Sequence, residues 1–128
     1  MIDETSSDIR NYRLFVKRDC PTCELIASTI EEISAALADR ITIFVQDDPS
    51  FLSHLPNIVD DSALESSYNE GITIVPTMTL ANHPEVRVEG WDRAAWQEFF
   101  VGEHAVSAVG DGLPDHKPGC GSKTLDMG

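Results

Sequence analysis

Cys20-Pro21-Thr22-Cys23 decides how the rest of this chain is read. The four residues follow a short apolar run, Tyr12 to Val16, and open a segment with helical spacing. A C-x-x-C pair at a strand-to-helix turn is the arrangement that thiol–disulfide exchange requires. The first sulfur can sit at a helix start, where unpaired N–H groups and the dipole stabilise a thiolate. The second sulfur, three residues on, is within reach of any mixed disulfide formed by the first. Pro21 suits a first helical turn, since its φ is already fixed and its missing N–H is not needed there. The alternatives are half of a zinc site or two incidental cysteines.

Working outward, Tyr12 to Lys17 reads as a buried strand, rich in aromatic and branched residues. Lys17, Arg18 and Asp19 form the turn into the cysteines. From Thr22 to Asp39, Ile26, Ile30, Ile33 and Leu37 recur at helical spacing. Ile41 to Gln46 is a second strand, and so close a strand–helix–strand succession predicts a parallel βαβ unit. Residues 47–59, with Pro49 and Pro56, read as an ordered loop or short helical turn. Asp60 or Asp61 is the expected N-cap of a short helix over Ala63 to Glu70, stopped by Gly71. Ile72 to Val75 is extended, Val75 being kept from the helical region by Pro76. Thr77–Leu80 and Glu85–Glu89 read as a hairpin around Ala81-Asn82-His83-Pro84. Asp92 then caps a helix with Ala95, Trp96, Phe99 and Phe100 on one face.

The chain has 128 residues, of which 41% are hydrophobic, enough for one packed domain. Its formal net charge of −13 disfavours nucleic acid and anionic membranes, both of which are bound through Lys and Arg contacts to phosphate. No apolar run is long enough to cross a bilayer, and the polar, acidic residues 1–10 do not read as a secretory signal. Three cysteines, an odd number, argue against a structural disulfide framework. The expectation is a soluble, cytoplasmic domain. Beyond Phe100 the texture changes: six of the eight glycines lie there, with Pro114 and Pro118. Residues 1–101 are therefore read as the folded domain, and 102–128 as a Gly/Pro-rich extension or linker. That composition leads us to expect a further domain, or a partner on which the extension packs.

The order strand, CxxC helix, strand, helix, proline, hairpin, helix resembles the thioredoxin superfamily in its shorter, glutaredoxin-like form. Cys20-Pro21-Thr22-Cys23 and Ile74-Val75-Pro76-Thr77 carry the resemblance, which spans Tyr12 to Phe100. It implies an α/β fold, a three-layer α/β/α sandwich on a four-stranded mixed sheet. It also implies a cis Val75–Pro76 bond facing the sulfurs and a Val75 backbone open to pair with a substrate strand. The sequence departs from the family at Asp19, where thioredoxins carry a Trp, and at Leu14, where they carry a buried acid. Gly90-Trp91-Asp92 keeps one glycine and the acid of the glutathione-holding Gly-Gly-acid pattern.

On this resemblance Cys20 is the exposed attacking thiolate, its pKa lowered by the helix start, Lys17 and Arg18 and raised by Asp19 and Glu24. Cys23 is the buried resolving thiol. Pro21, Thr22, Val75, Pro76 and Trp91 are the substrate-contacting candidates. Thr22 either offers its hydroxyl to the Cys20 sulfur or fills the turn, and Trp91 either flanks the groove or packs in the core. Cys120, in Pro118-Gly119-Cys120-Gly121-Ser122, is an accessory thiol (a relay or regulatory partner of Cys20) or a linker cysteine without a role. Pro118 to Thr124 lacks the Gly-Lys adjacency and preceding strand of a phosphate loop. His54, His83, His104 and His116 are scattered; His116 and Cys120 could join Cys20 and Cys23 on zinc only if the tail folded over them. The expected activity is thiol–disulfide oxidoreduction on protein disulfides, with a reductase or glutathione as electron donor and neither cofactor nor metal. The alternative is a redox-sensing or partner-binding module.

Overall fold

The computed structural model describes residues 10–48, 50–103, 106 and 108–123. Residues 1–9, Pro49, His104 and 124–128, on which some of the expectations above fall, lie outside it. The expected βαβ unit is present. Strand β1 (Tyr12–Val16) lies parallel to β2 (Ile41–Val45), from the pair Tyr12↔Ile41 to Val16↔Val45. Leu14, Phe15, Val16, Ile43 and Val45 are fully buried, so both faces of these central strands are covered, as parallel pairing requires. Directly opposed Phe15 and Phe44 stack at 4.8 Å between centroids.

The crossover is helical but bent. Helices α1 (Pro21–Leu25) and α2 (Ala27–Leu37) meet at Ile26, whose φ of −97° and ψ of 12° break the regular turn. Backbone bonds continue on both sides, Ile26 N to Thr22 O at 3.2 Å and Ile30 N to Ile26 O at 2.9 Å. Ile26, Ile30 and Ile33 are fully buried and Leu37 nearly so, which places the apolar stripe read from the sequence against the sheet.

Residues 47–59 hold more than a loop, and this corrects the strand count. Strand β3 (Ile58–Asp60) pairs parallel with β2, giving a five-stranded mixed sheet in place of the expected four. Its three half-buried or exposed residues carry no alternation for a sequence pattern to detect. The register is fixed from outside by Asn57, which donates to Ile41 O at 3.0 Å and Ala38 O at 3.2 Å and accepts from Ser34 Oγ at 3.0 Å. Helix α3 (Glu65–Asn69) follows. Its cap residue is Leu64, in the left-handed region, but the capping carboxylate is the expected Asp61, which accepts from the N–H groups of Ser66 and Ser67, both at 3.0 Å.

Strand β4 (Ile74–Val75) leads through a cis Val75–Pro76 peptide into β5 (Thr77–Leu80), antiparallel to β1. Strand β6 (His83–Glu89) completes the sheet, whose order is β3-β2-β1-β5-β6. The hairpin turn is tighter than the sequence predicts, since β6 already begins at His83. After Gly90 come β7 (Trp91–Asp92) and α4 (Arg93–Phe99), capped as expected by Asp92 Oδ1 accepting from Ala95 N at 3.1 Å. Trp96 and Phe100 are fully buried.

Past α4, Glu103 ties the chain back to the sheet. It takes a forked contact from Arg40, at 2.5 and 2.9 Å, and a 3.1 Å bond from the Tyr12 hydroxyl. The Arg40 guanidinium, against some opposition from burial, holds the Glu103 carboxyl below its usual range. Replacing Glu103 by Ala is expected to cost about 1–3 kcal/mol, since the buried Tyr12 loses its hydroxyl's acceptor and Arg40 keeps only its bond to Arg10 O, measurable as a shifted urea midpoint at unchanged slope.

Residues 108–123, read from composition as extension or linker, are laid against this frame. Trp91 Nε1 donates to Pro114 O at 2.8 Å, and Gly110 sits so close that a Cβ would stand 2.3 Å from the Trp91 ring. Strand β8 (His116–Lys117) pairs antiparallel with β7, and β9 (Cys120–Gly121) antiparallel with β4. Fully buried Gln46 secures the far end, donating to Ser122 Oγ at 2.7 Å and accepting from Lys123 N at 2.9 Å. Among the described residues, no helix is long and apolar enough to cross a membrane.

Candidate functional site

The turn Lys17–Asp19 carries the chain from β1 to α1, and Asp47, just beyond β2, shapes it. The Asp47 carboxylate accepts from Arg18 N at 2.7 Å and Asp19 N at 2.9 Å. Burial pushes this carboxyl up, but the backbone donors outweigh it and hold the group below its usual range. Cys20 is thereby placed as the N-cap of α1 with an extended backbone, and its sulfur accepts from Cys23 N at 3.2 Å. On the other side the Cys20 thiol faces Val75 O at 3.7 Å. The sequence-predicted pair and the Val75–Pro76 loop therefore meet.

The three sulfurs differ sharply. A hydrogen bond from the Cys23 thiol is the largest influence on Cys20; burial opposes it, and donors from Cys120 and from the Cys23 and Thr22 backbones add to it. The result is a Cys20 pKa of about 6. Cys23 is fully buried, and burial, reinforced by donation to Cys20, pushes its thiol far above the ordinary range. Cys120 is half-buried and is pushed up by burial and then by its own donation to Cys20. All three are free thiols. The leading causes at Cys20 are thus neighbouring sulfur donors and the N–H groups of the helix start, the latter as expected, whereas the expected Lys17 and Arg18 are not among them; Arg18 is turned toward Asp48 at 3.2 Å.

Several candidates sit differently from the sequence reading. Cys20, expected to be exposed, is only 1% exposed, and the returning tail is paired beside it at Val75↔Cys120. The Val75 edge, expected to be open, is taken by β9 in the pair Val75↔Cys120. The Thr22 hydroxyl donates to Pro118 O at 2.6 Å instead of to the Cys20 sulfur. Trp91 is fully buried, edge-on to Trp96 at 5.1 Å, and presents no face to a groove. Pro76 is buried while Pro21 is exposed. Leu14 is wholly buried, so no acid stands beneath the sulfurs from that position. His116 lies 3.8 Å from Asp92, and among the described residues no cluster of three or more His, Cys, Asp and Glu is arranged to hold a metal ion.

Sequence reading missed Gly119, whose lack of a side chain lets the tail approach. A Cβ there would meet Ile74 Cγ2 at 2.4 Å and Val75 O at 2.7 Å. The only signal was glycine on either side of Cys120, which composition assigns to flexibility. Beside Cys20 opens a cleft of about 390 Å³ lined by Arg18, Asp19, Pro21, Glu24, Asp47 and Asp48. Four carboxylates face one guanidinium there.

Comparison with protein-family models, curated proteins and solved structures finds no match to this chain.

Proposed function

We propose that the chain is a thiol–disulfide oxidoreductase of thioredoxin-like α/β/α architecture, with Cys20 as nucleophile and Cys23 as its buried disulfide partner. The observation that carries this reading is the placement of Cys20 at the start of α1, its sulfur accepting from Cys23 N at 3.2 Å and facing Val75 O at 3.7 Å, with its pKa lowered to about 6 beside a second, unionised sulfur. At neutral pH such a group is a thiolate with a proton-bearing thiol next to it, which exchange needs. The Cys20 thiolate attacks a disulfide R–S–S–R′, forming Cys20–S–S–R and expelling R′S⁻, which takes a proton. A second thiol of the protein then attacks Cys20 Sγ and releases RS⁻, which collects the proton that thiol gave up. Two protein thiols are oxidised and one substrate disulfide is reduced.

The substrates are disulfides of proteins, and either a dithiol reductase or glutathione returns the electrons. The cytoplasm suits an odd thiol count and a dithiol that must be re-reduced. A redox titration with mapped thiols tests the reading. A reversible two-electron disulfide at Cys20 within roughly −320 to −120 mV is the expected result, whereas no reversible disulfide at Cys20 at any potential would refute it.

The acidic cleft separates small substrates by charge. Asp19, Glu24, Asp47 and Asp48 oppose Arg18 around the approach to Cys20, in a chain of net charge −13. Cystamine, a dicationic disulfide, should therefore oxidise Cys20 several-fold faster than glutathione disulfide at low salt. The gap should narrow as ionic strength shortens the Debye length to about 8 Å at 0.15 M. Equal, salt-independent rates would contradict this electrostatic account.

The sensing alternative is favoured by one observation, the cover over Cys20, which leaves 1% of the residue exposed. A module whose tail moves on oxidation would show slow exchange and a changed tail; rapid turnover on insulin disulfides decides for the enzyme.

A further inference from the structure

The tail brings a third thiol to the reacting sulfur. Strand β9 pairs antiparallel with β4 and sets Cys120 opposite Val75, the residue whose carbonyl faces Cys20 Sγ at 3.7 Å. The Cys120 thiol is near enough to the Cys20 sulfur to help lower its pKa and to have its own raised in return. The placement is built from both sides. Thr22, between the two CxxC cysteines, binds Pro118 O at 2.6 Å, and Ser122 N donates to Thr73 O at 3.0 Å. Gly119 admits the backbone where any side chain would strike Val75 O. A linker cysteine without a role would need none of these contacts.

We propose that Cys120 is a catalytic thiol that resolves the Cys20 mixed disulfide, so that the first intramolecular disulfide formed is Cys20–Cys120. This rests on the oxidoreductase reading above and gives its second step to Cys120, Cys23 becoming the disulfide partner of Cys20 only afterwards, by attack on Cys20 Sγ that expels Cys120. β9 occupies the strand edge that an extended protein substrate would use. The tail must therefore lift for substrate to reach Cys20, and its return carries Cys120 to the mixed disulfide while displacing the substrate strand. The Cys120 sulfur then attacks Cys20 Sγ, the Cys20–S–S–R bond breaks, and RS⁻ departs with the proton that Cys120 loses. Cys23 is the weaker competitor for this step, being fully buried and held further from ionisation. In the Cys20–Cys120 disulfide the half-buried Cys120 sulfur is the one open to an external dithiol. Attack there expels Cys20, the best leaving group of the three because its pKa is lowest.

The test uses the full chain and 4,4′-dithiodipyridine, an aromatic disulfide that releases one chromogenic thione at each step. Samples quenched with acid and alkylated are mapped for disulfide-linked peptides. In the wild-type chain the first intramolecular disulfide should join Cys20 to Cys120. Cys120→Ser, whose hydroxyl can still donate to Cys20, should slow the second thione release by about tenfold or more, far beyond any change in the first. Cys23→Ala, which removes the leading donor to Cys20 and so slows the first release, should still form the Cys20–Cys120 disulfide. Should Cys23→Ala fail to fold, the wild-type map and Cys120→Ser decide alone. A first disulfide joining Cys20 to Cys23, with second release in Cys120→Ser within twofold of wild type, overturns the assignment and leaves the oxidoreductase standing. No thione release from Cys20 in the wild-type chain overturns both.

Discussion

Replacing Cys20 by Ser is expected to abolish thiol–disulfide exchange at pH 7, by about 10³-fold or more, with the fold intact. A pKa of about 6 leaves roughly nine-tenths of this sulfur ionised at pH 7, against about 1% for a thiol at 9. The gain in thiolate is partly offset, because nucleophilicity falls with basicity at a Brønsted slope of about 0.4–0.5. What remains is a modest advantage in attack and a large one in departure, since a sulfur of low pKa also leaves readily. Neither other sulfur substitutes for it. Cys23 is buried and held neutral, and burial also raises Cys120. The measurement is turnover on insulin disulfides, with near-ultraviolet circular dichroism as the control on folding. A Ser variant retaining more than about a tenth of the wild-type rate would place the nucleophile elsewhere.

Gly119→Val carries the second large expected effect, in the opposite direction. The added side chain must meet Ile74 Cγ2, whose contact with the first carbon alone is 2.4 Å, and Val75 O at 2.7 Å. The second neighbour is backbone held in the β4–β9 pairing and cannot swing away as a flexible side-chain tip can. Overpacking of this kind costs about 1–3 kcal/mol, and the tail is the part free to give way. Lifting it uncovers Cys20, which is now 1% exposed. Iodoacetamide labelling of Cys20 should accelerate roughly 10- to 100-fold, on the scale of tenfold per 1.4 kcal/mol. Thr22→Val, which removes only the bond to Pro118 O, should give a smaller change in the same direction. Unchanged labelling in a folded Gly119→Val chain would mean that the tail is not what covers the sulfur.

The legible and illegible parts of this molecule divide by how their information is stored. Strands β1 and β2, the apolar stripe Ile26–Ile30–Ile33–Leu37, the hairpin and the Asp92 cap are written in local periodicity and turn chemistry, and the structure contains all of them. Strand β3 is not so written, because three residues at a sheet edge need no apolar alternation when Asn57 fixes their register from the side. The tail is a sharper case. Gly and Pro are abundant in flexible segments, and they are equally what a chain needs when it must press its backbone against Trp91, Val75 and Gly90. Only the partner surface distinguishes the two, and that surface lies up to about a hundred positions earlier in the sequence.

The site divides the same way. The pairing of Cys20–Cys23 with Val75–Pro76 follows from two short motifs, and the sulfurs and the Val75 carbonyl do converge. The helix-start N–H groups of Thr22 and Cys23 lower the Cys20 pKa as the sequence predicts, but the sequence does not predict the donations from the Cys23 thiol and from distant Cys120, and Lys17 and Arg18 are not among the leading causes. Arg18 faces Asp48, and Asp47 gathers the turn's N–H groups, contacts that reach across to the loop after β2. Thr22 and Trp91 each fall on the second of the two readings the sequence leaves open, Thr22 within the turn and bonded to Pro118, Trp91 in the core.

The most direct measurement is the pH dependence of iodoacetamide labelling at each cysteine, mapped by mass spectrometry on the wild-type chain. Losing a proton creates the nucleophile, so labelling must rise with pH through the pKa of the sulfur concerned. The expected result is a Cys20 rate half-maximal near pH 6 and level above it, with Cys120 rising only above the ordinary thiol range and Cys23 unreactive throughout. A Cys20 profile that still climbs past pH 8.5, like an unperturbed thiol, would contradict the account at its centre.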